Sequence, residues 1–424
     1  METAQEEMNG TTNSLNTLKI KCNAYNKEHK MKTIFHNAKI ITSSRILDGD
    51  LLVADGKIEN ISIEKPIEEK ADIKIDCNGK YLSPGFIDIH THGAGGYDFM
   101  DGSLDDIYGA TKAHMYHGTT SILPTSLTST KQSLLDFIQL FNKVDMTRAG
   151  YPEIIGLHME GPYFAFNQRG AQDPRFLRNP EPDEYNKVLR ATNKIKRWSF
   201  AVELPGSEDF LRALREHGIL SSVAHSDATC EEVIQAYENG VELITHFYSC
   251  LTTVKRVNAY RVAGAIEAGY LLDDMYVEII ADGSHLPKEL LQLILKIKGP
   301  DHICLITDSM RAAGMPDGEY ILGKKNEGIA CIKEDNVAKL PDRSAFAGSV
   351  ATTDMLVRNM VNLAGAQLID AVKMASLTPA KLLGIADRKG SIAKGKDADL
   401  IVFDNNINIE AVMVRGVLTK NQFI

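Results

Sequence analysis

The chain has 424 residues, a formal net charge of −9, 24% charged and 44% hydrophobic residues, a balance that suits one large globular domain with a smaller companion. An acidic excess without a basic run argues against a nucleic-acid or anionic-membrane partner, and no apolar run approaches the roughly 20 residues that cross a bilayer. The six cysteines, Cys22, Cys77, Cys230, Cys250, Cys304 and Cys331, form no Cys-x-x-Cys pair, which fits a reducing cytoplasm better than a disulfide framework.

Residues 1–31 are rich in Asn, Thr, Glu and Lys and lack the apolar core of a signal peptide, so a disordered extension is expected there. Met31 opens the first strand pattern and is a second candidate start. Short β patterns follow at 33–41, 48–53 and 57–61, punctuated by Asp55-Gly56 and Asn78-Gly79. The stretch 390–403 reads the same way. Two β-rich ends predict a small β-sandwich domain built from 32–82 and 386–424, around a middle domain of 83–385.

In that middle, apolar strand patterns at 85–92, 119–125, 154–160, 198–203, 219–225, 241–246, 276–282 and 303–308 alternate with amphipathic stretches such as 133–144, 230–239 and 287–298. Eight strands alternating with helices predict an α/β fold, a (β/α)₈ barrel of the TIM type. No Gly-rich phosphate loop follows the first strand, as an open doubly wound sheet would favour.

The polar residues fall at strand ends: His90 and His92, Glu160, Glu203, His225, His246, Asp282 and Asp308. A barrel gathers such ends at one mouth. In an extended strand, Asp88, His90 and His92 would share a face. Of the 12 histidines, His29, His36, His114, His117, His217 and His302 have structural contexts, and His158 shares a face with Glu160 inside the barrel. The set His90, His92, Glu160, His225, His246 and Asp308 predicts a metal centre. Its nitrogen and oxygen donors suit Zn²⁺, Fe²⁺, Mn²⁺ or Co²⁺, with one ion as the catalytic minimum and two bridged by Glu160 also accommodated.

The runs Ser83-Pro84-Gly85-Phe86-Ile87-Asp88-Ile89-His90-Thr91-His92-Gly93 and Leu377-Thr378-Pro379-Ala380-Lys381-Leu382-Leu383-Gly384 resemble the amidohydrolase superfamily. Five further elements resemble the N-acetylglucosamine-6-phosphate deacetylase family within it: Gly156-Leu157-His158-Met159-Glu160-Gly161-Pro162, Arg169-Gly170-Ala171-Gln172, Ala281-Asp282-Gly283-Ser284-His285, Leu305-Ile306-Thr307-Asp308 and Phe346-Ala347-Gly348-Ser349. The resemblance implies a cytoplasmic, homodimeric, metal-dependent hydrolase. It would release acetate from a small N-acetyl amino-sugar phosphate, with Zn²⁺ or Fe²⁺ the foremost metals.

By the same resemblance, Glu160, His225 and His246 match metal ligands, with His90 and His92 completing a second ion site. Asp308 matches the catalytic acid/base and His285 the residue that polarises the amide carbonyl. Gln172, Phe346 and Gly348 fall among substrate-binding residues. The family has Asn and Ala after the aromatic that follows the strand-6 His, where this chain has Ser249 and Cys250 in the run His246-Phe247-Tyr248-Ser249-Cys250. The phosphate-binding Arg, which a neighbouring subunit supplies, has two candidates, Arg256 and Arg261. The changed pair raises two other substrates, N-acetylgalactosamine 6-phosphate or an unphosphorylated N-acetyl sugar. A catalytically inactive barrel serving as an interaction protein is the alternative from a different class.

Overall fold

Eight parallel strands form the centre of the structure, a computed structural model that describes residues 31–423. Apart from Met31, the expected disordered extension lies outside the described residues. The strands are β1 (Phe86–Thr91), β2 (Thr119–Pro124), β3 (Leu157–Glu160), β4 (Ile195–Phe200), β5 (Leu220–Val223), β6 (Leu243–Ile244), β7 (Tyr276–Ile279) and β8 (Ile303–Leu305). β1 pairs with β2, and β3 through β8 pair in sequence. A bridge from Thr125 to His158 joins β2 to β3. Beyond the last strand, Asp308 N donates to His90 O at 2.9 Å and His92 N to Ser309 O at 2.9 Å, which closes the ring.

Both faces of these strands are covered, so nearly every residue in them is buried, including polar ones such as Ser121, Arg197, Ser222 and Glu278. Helices such as Lys131–Phe141, Cys230–Glu238 and Lys288–Lys298 bury one face each against them. Thr229 and Glu232 close a reciprocal cap at the start of the second of these, fixing where the loop after β5 ends. Among the described residues, no helix is long and apolar enough to cross a membrane.

Both chain ends contribute to one further sheet of eight strands. Its order is Val417–Asn421, Ile409–Val414, Leu400–Phe403, Tyr81–Pro84, Lys32–Ile41, Ile46–Ala54 and Lys57–Ser62, with Ile73–Asp76 beside Lys32–Ile41. Phe35, Leu51, Val53, Leu82, Leu400, Val402 and Met413 share its buried apolar cluster. The β pattern expected over 390–403 is realised only in Leu400–Phe403. Residues 388–399 turn instead, because Arg388, Lys389, Asp397 and Asp399 are committed to an ionic junction. There Arg388 Nη2 lies 2.6 Å and Lys389 Nζ 3.0 Å from Glu153, Arg388 Nη1 2.9 Å from Asp397, and Lys57 Nζ 2.5 Å from Asp397. Lys389 also pairs with Asp399.

β4 begins three residues earlier than the sequence pattern suggests and ends at Phe200, so Glu203 is a loop residue and not the strand's last. It accepts hydrogen bonds from Ser226 Oγ and Asp227 N, both at 2.6 Å, and so braces the loop after β5.

Candidate active site

Glu160 closes β3 at the centre of the barrel mouth, and four imidazoles converge on its carboxylate. His90 Nε2 lies 3.4 Å and His92 Nε2 3.3 Å from it, and His225 Nε2 and His246 Nε2 lie 3.4 and 3.3 Å away. Asp308 Oδ1 stands 3.4 Å from His90 Nε2 and 3.1 Å from His92 Nε2. All six side chains are buried. The donors divide into two overlapping groups, His90, His92 and Glu160, and Glu160, His225 and His246, each with its atoms within 4.8 Å of one another.

The expected shared face of Asp88, His90 and His92 is realised only for the two histidines. The β1–β2 register slips between Asp88 and Thr91, and Asp88 turns to accept from Thr307 Oγ1 at 2.6 Å. His225, His246 and Asp308 lie two or three residues past their strands with φ of 45°, 29° and 46°. Left-handed backbone at non-glycine residues costs of order 1–3 kcal/mol and persists where the surroundings impose it. At Asp308 both backbone groups are held, the N–H by His90 O and the carbonyl by Ser349 N at 2.8 Å.

Hydrogen bonds behind the rings set their tautomers. His225 Nδ1 bonds Gln168 O at 2.7 Å and His246 Nδ1 bonds Ser249 O at 3.1 Å. A carbonyl only accepts, so both Nδ1 atoms carry the proton and both Nε2 atoms present lone pairs. Those two Nε2 atoms are 3.2 Å apart, an arrangement that repels unless a cation sits between them and Glu160. His90 Nε2 is buried and makes no hydrogen bond. The residues present therefore fit a divalent ion.

Charge points the same way. Burial opposes protonation of His90 and His92, yet the carboxylates of Asp308 and Glu160 overrule it and push them up to about 9 and about 10. Burial also opposes ionisation of Glu160 and Asp308, and the imidazoles hold both below the usual carboxylate range. Among the described residues, no Lys or Arg lines the pocket that these side chains face. The cluster collects positive charge without a permanent cation of its own.

That pocket has a volume of about 300 Å³, and Gln172, Ser249, Cys250, His285, Phe346 and Gly348 all line it. Gln172 Nε2 donates to Glu160 Oε2 at 2.7 Å, and Phe346 lies against His285 with ring centroids 4.4 Å apart. His285 Nδ1 is 2.7 Å from Asp282 Oδ2, which leaves its Nε2 to face outward from that pair. Arg256 and Arg261 are elsewhere. They sit opposite each other on an exposed two-stranded hairpin, Lys255–Val257 and Tyr260–Val262, and neither lines the pocket.

Sequence reasoning missed Leu127, Tyr248 and Leu322 in the lining, and it missed Arg197 and Glu278, wholly buried beneath the cluster. Glu278 did leave a signal, a charge within the otherwise apolar strand Tyr276–Ile279, whereas Arg197 stands beside Lys196 and ahead of the strand expected at 198–203. His114, left as structural, is buried with Nε2 2.9 Å from Thr91 Oγ1, and His158 is an interior residue between Thr125 and Ser199.

The amidohydrolase family profile matches residues 81–419. The chain belongs to the amidohydrolase family. Among curated relatives of this amidohydrolase, the N-acetylglucosamine-6-phosphate deacetylase of Danio rerio is 32% identical over 403 residues, covering 91% of this chain and 96% of that protein. The enzyme of that name from Lysinibacillus sphaericus is 31% identical over 388 residues, with 91% and 97% covered. The crystal structure of N-acetylglucosamine-6-phosphate deacetylase from Pasteurella multocida superposes with a TM-score of 0.85 at 29% identity, covering 92% of this chain and all of that one.

Proposed function

We propose that the chain hydrolyses the acetamide of N-acetyl-D-glucosamine 6-phosphate, giving glucosamine 6-phosphate and acetate. The observation that carries this reading is the meeting of Asp308, His285 and the His/Glu cluster on one pocket of about 300 Å³, room for a single sugar. Near-full-length likeness to deacetylases of that substrate supports it.

Glu160, His225 and His246 would hold one divalent ion, and His90 and His92, with Glu160 and Asp308, a second. Zn²⁺ or Fe²⁺ is favoured, and Mn²⁺ or Co²⁺ suits the same donors. When bound, such an ion supplies Lewis acidity at neutral pH. Asp308 takes a proton from the attacking water and returns it to the departing nitrogen. His285, its Nδ1 proton accepted by the Asp282 carboxylate, faces the acyl oxygen with Nε2 and donates there as the imidazolium that this carboxylate stabilises; a donor of this kind is worth roughly 10²–10³ in rate. Gln172 holds Glu160 from the other side.

A 6-phosphate needs cations, and the described residues that line the pocket of one chain include no Lys or Arg. We assign this to a homodimer in which the exposed hairpin of a second copy brings Arg256 or Arg261 to the pocket. The small domain is read as a sandwich of 32–82 and 386–424, supported by its own apolar cluster, with 83–385 as the barrel. The five described cysteines are free, in keeping with a reducing cytoplasm.

Steady-state acetate release after metal reconstitution tests the reading. N-acetylglucosamine 6-phosphate should give the highest kcat/KM in a panel with N-acetylgalactosamine 6-phosphate and unphosphorylated N-acetylglucosamine. A higher kcat/KM for the plain sugar overturns the phosphate assignment, and no acetate from any of the three overturns the deacetylase.

A further inference from the structure

Beneath the metal cluster the barrel interior holds an ion pair with no access to solvent. Arg197 on β4 and Glu278 on β7 are both fully buried. The guanidinium contacts Glu278 through both terminal nitrogens, with Nη2 to Oε2 at 2.8 Å. Its remaining donors reach Ile89 O at 3.2 Å, Thr245 Oγ1 at 2.8 Å and Ser222 Oγ at 3.2 Å. A two-pronged contact of this kind fixes the plane of a carboxylate as well as its charge. Taking two charges wholly out of water commonly costs more than their attraction returns, and an apolar pair would hold a barrel together as well. The pair therefore calls for a reason beyond stability.

Geometry supplies one. Glu278 Oε2 lies 3.4 Å from His90 Nδ1, on the ring edge away from Glu160 and Asp308. A carboxylate only accepts, so this contact keeps the proton on Nδ1 and turns the Nε2 lone pair into the cluster. His158 packs edge-on to the same ring, with centroids 4.6 Å apart, and limits its rotation. Behind the other imidazoles there is less. His225 and His246 rest on neutral backbone carbonyls, and His92 Nδ1 is buried with no hydrogen-bond partner. Of the four, His90 alone has a charged side chain behind its outer nitrogen among the described residues.

We infer that Glu278, clamped by Arg197, is a positioning residue for His90, and that the pair governs how tightly the ion at His90 and His92 is held. This rests on the ligand set proposed above. The two ion positions are then unequal. The one at Glu160, His225 and His246 depends on backbone carbonyls, and the one at His90 and His92 depends on a buried ion pair some distance from the pocket. Partners of this kind behind metal-ligating histidines typically contribute 10–100-fold in metal affinity.

The test is the double variant Arg197→Met with Glu278→Leu, which removes both charges together and spares the core a lone one. Metal equivalents per chain are measured after dialysis against a graded chelator series, beside the melting temperature, on wild type, double variant and His90→Asn. The inference expects the double variant to fold, to keep the first equivalent, and to bind the second 10–100-fold more weakly. Retention of both equivalents at wild-type affinity overturns it and leaves the pair a structural one. His90→Asn must lose the same equivalent; if it keeps both, the ligand assignment of His90 fails, whatever the double variant does. Should the double variant not fold, Glu278→Gln is measured on its folded fraction, where second-ion binding weakened tenfold or more supports the role and unchanged binding overturns it.

Discussion

The barrel mouth and the junction with the terminal sheet each bury a cluster of ionised side chains, and the two are resolved differently. At the junction Glu153, Asp397 and Asp399 face Arg388, Lys389 and Lys57, so every carboxylate meets a permanent cation within the chain. At the mouth Glu160 and Asp308 face imidazoles and the neutral amide of Gln172, and the lone pairs of two of those imidazoles point at each other across 3.2 Å. Removing a charge from the first cluster should cost folding, and removing one from the second should cost chemistry.

The sharpest separation comes from Asp308→Asn. The substitution keeps shape and removes the proton acceptor, so kcat should fall roughly 10²–10⁴-fold while the melting temperature stays near wild type. Near-wild-type kcat in this variant would remove Asp308 from the chemistry. A large loss of folding with it would make the mouth a structural cluster like the junction.

Lys389→Met should do the reverse. It leaves Glu153 and Asp399 short of a partner at a buried site, and breaking such a pair costs about 3–5 kcal/mol. Denaturant melts should show that loss, with kcat of the folded enzyme unchanged. Acid offers a second view of the same cluster. Burial raises Glu153 and Asp397, but their basic partners outweigh it and leave both below the ordinary carboxylate range. A carboxylate lowered on folding stabilises above its unfolded pKa, about 4, and that contribution disappears as pH falls through the folded value. Asp399 runs the other way, since burial raises it despite Lys389. Wild type should therefore lose stability below about pH 4, and the gap to Lys389→Met should narrow on acidification, because carboxylates without a partner gain from protonation. A gap independent of pH would argue that Lys389 acts through packing alone.

The same contrast explains what could be read from the sequence. Alternating strand and helix patterns gave the barrel, because the strands and the amphipathic helices between them bury apolar residues against each other. Strand ends were overestimated at β5, β6 and β8, where His225, His246 and Asp308 lie in left-handed backbone past the last ladder residue, and also at β4 and β7, which stop at Phe200 and Ile279. The ligand types survived that error, since a barrel brings strand ends together whatever their last residue. The junction was illegible. Its partners come from positions 57, 153 and 388–399, and charges so far apart in the chain carry no local period. Glu278 stood out as a charge in an apolar strand, Arg197 did not because it follows Lys196 ahead of the strand expected at 198–203, and nothing local says that the two face each other.

The arginine hairpin tests whether the charge missing from the mouth arrives from outside. Replacing Arg256 or Arg261 by Ala removes a hydrogen bond to an anionic ligand, worth about 1.5–3 kcal/mol. For whichever residue binds the phosphate, KM for the phosphorylated sugar should rise roughly 10–150-fold, with kcat and the unphosphorylated sugar little affected. Equal effects on both sugars would place the arginines in the fold or the dimer contact instead.

The smallest effect is expected at Ser249, where the chain departs from the family pattern it resembles. Its backbone carbonyl receives the His246 Nδ1 proton, and its side chain only lines the pocket. A carbonyl survives any side-chain change, so the orientation of His246 does not depend on which residue stands at 249. Ser249→Ala should thus keep metal content and change kcat/KM by no more than roughly threefold, the scale of about 0.5 kcal/mol for a replaceable contact. A tenfold loss confined to the phosphorylated sugar would mean that the hydroxyl itself meets the phosphate. The mouth would then supply part of the phosphate contact assigned here to a second copy of the chain, with the charge still to be met by an arginine.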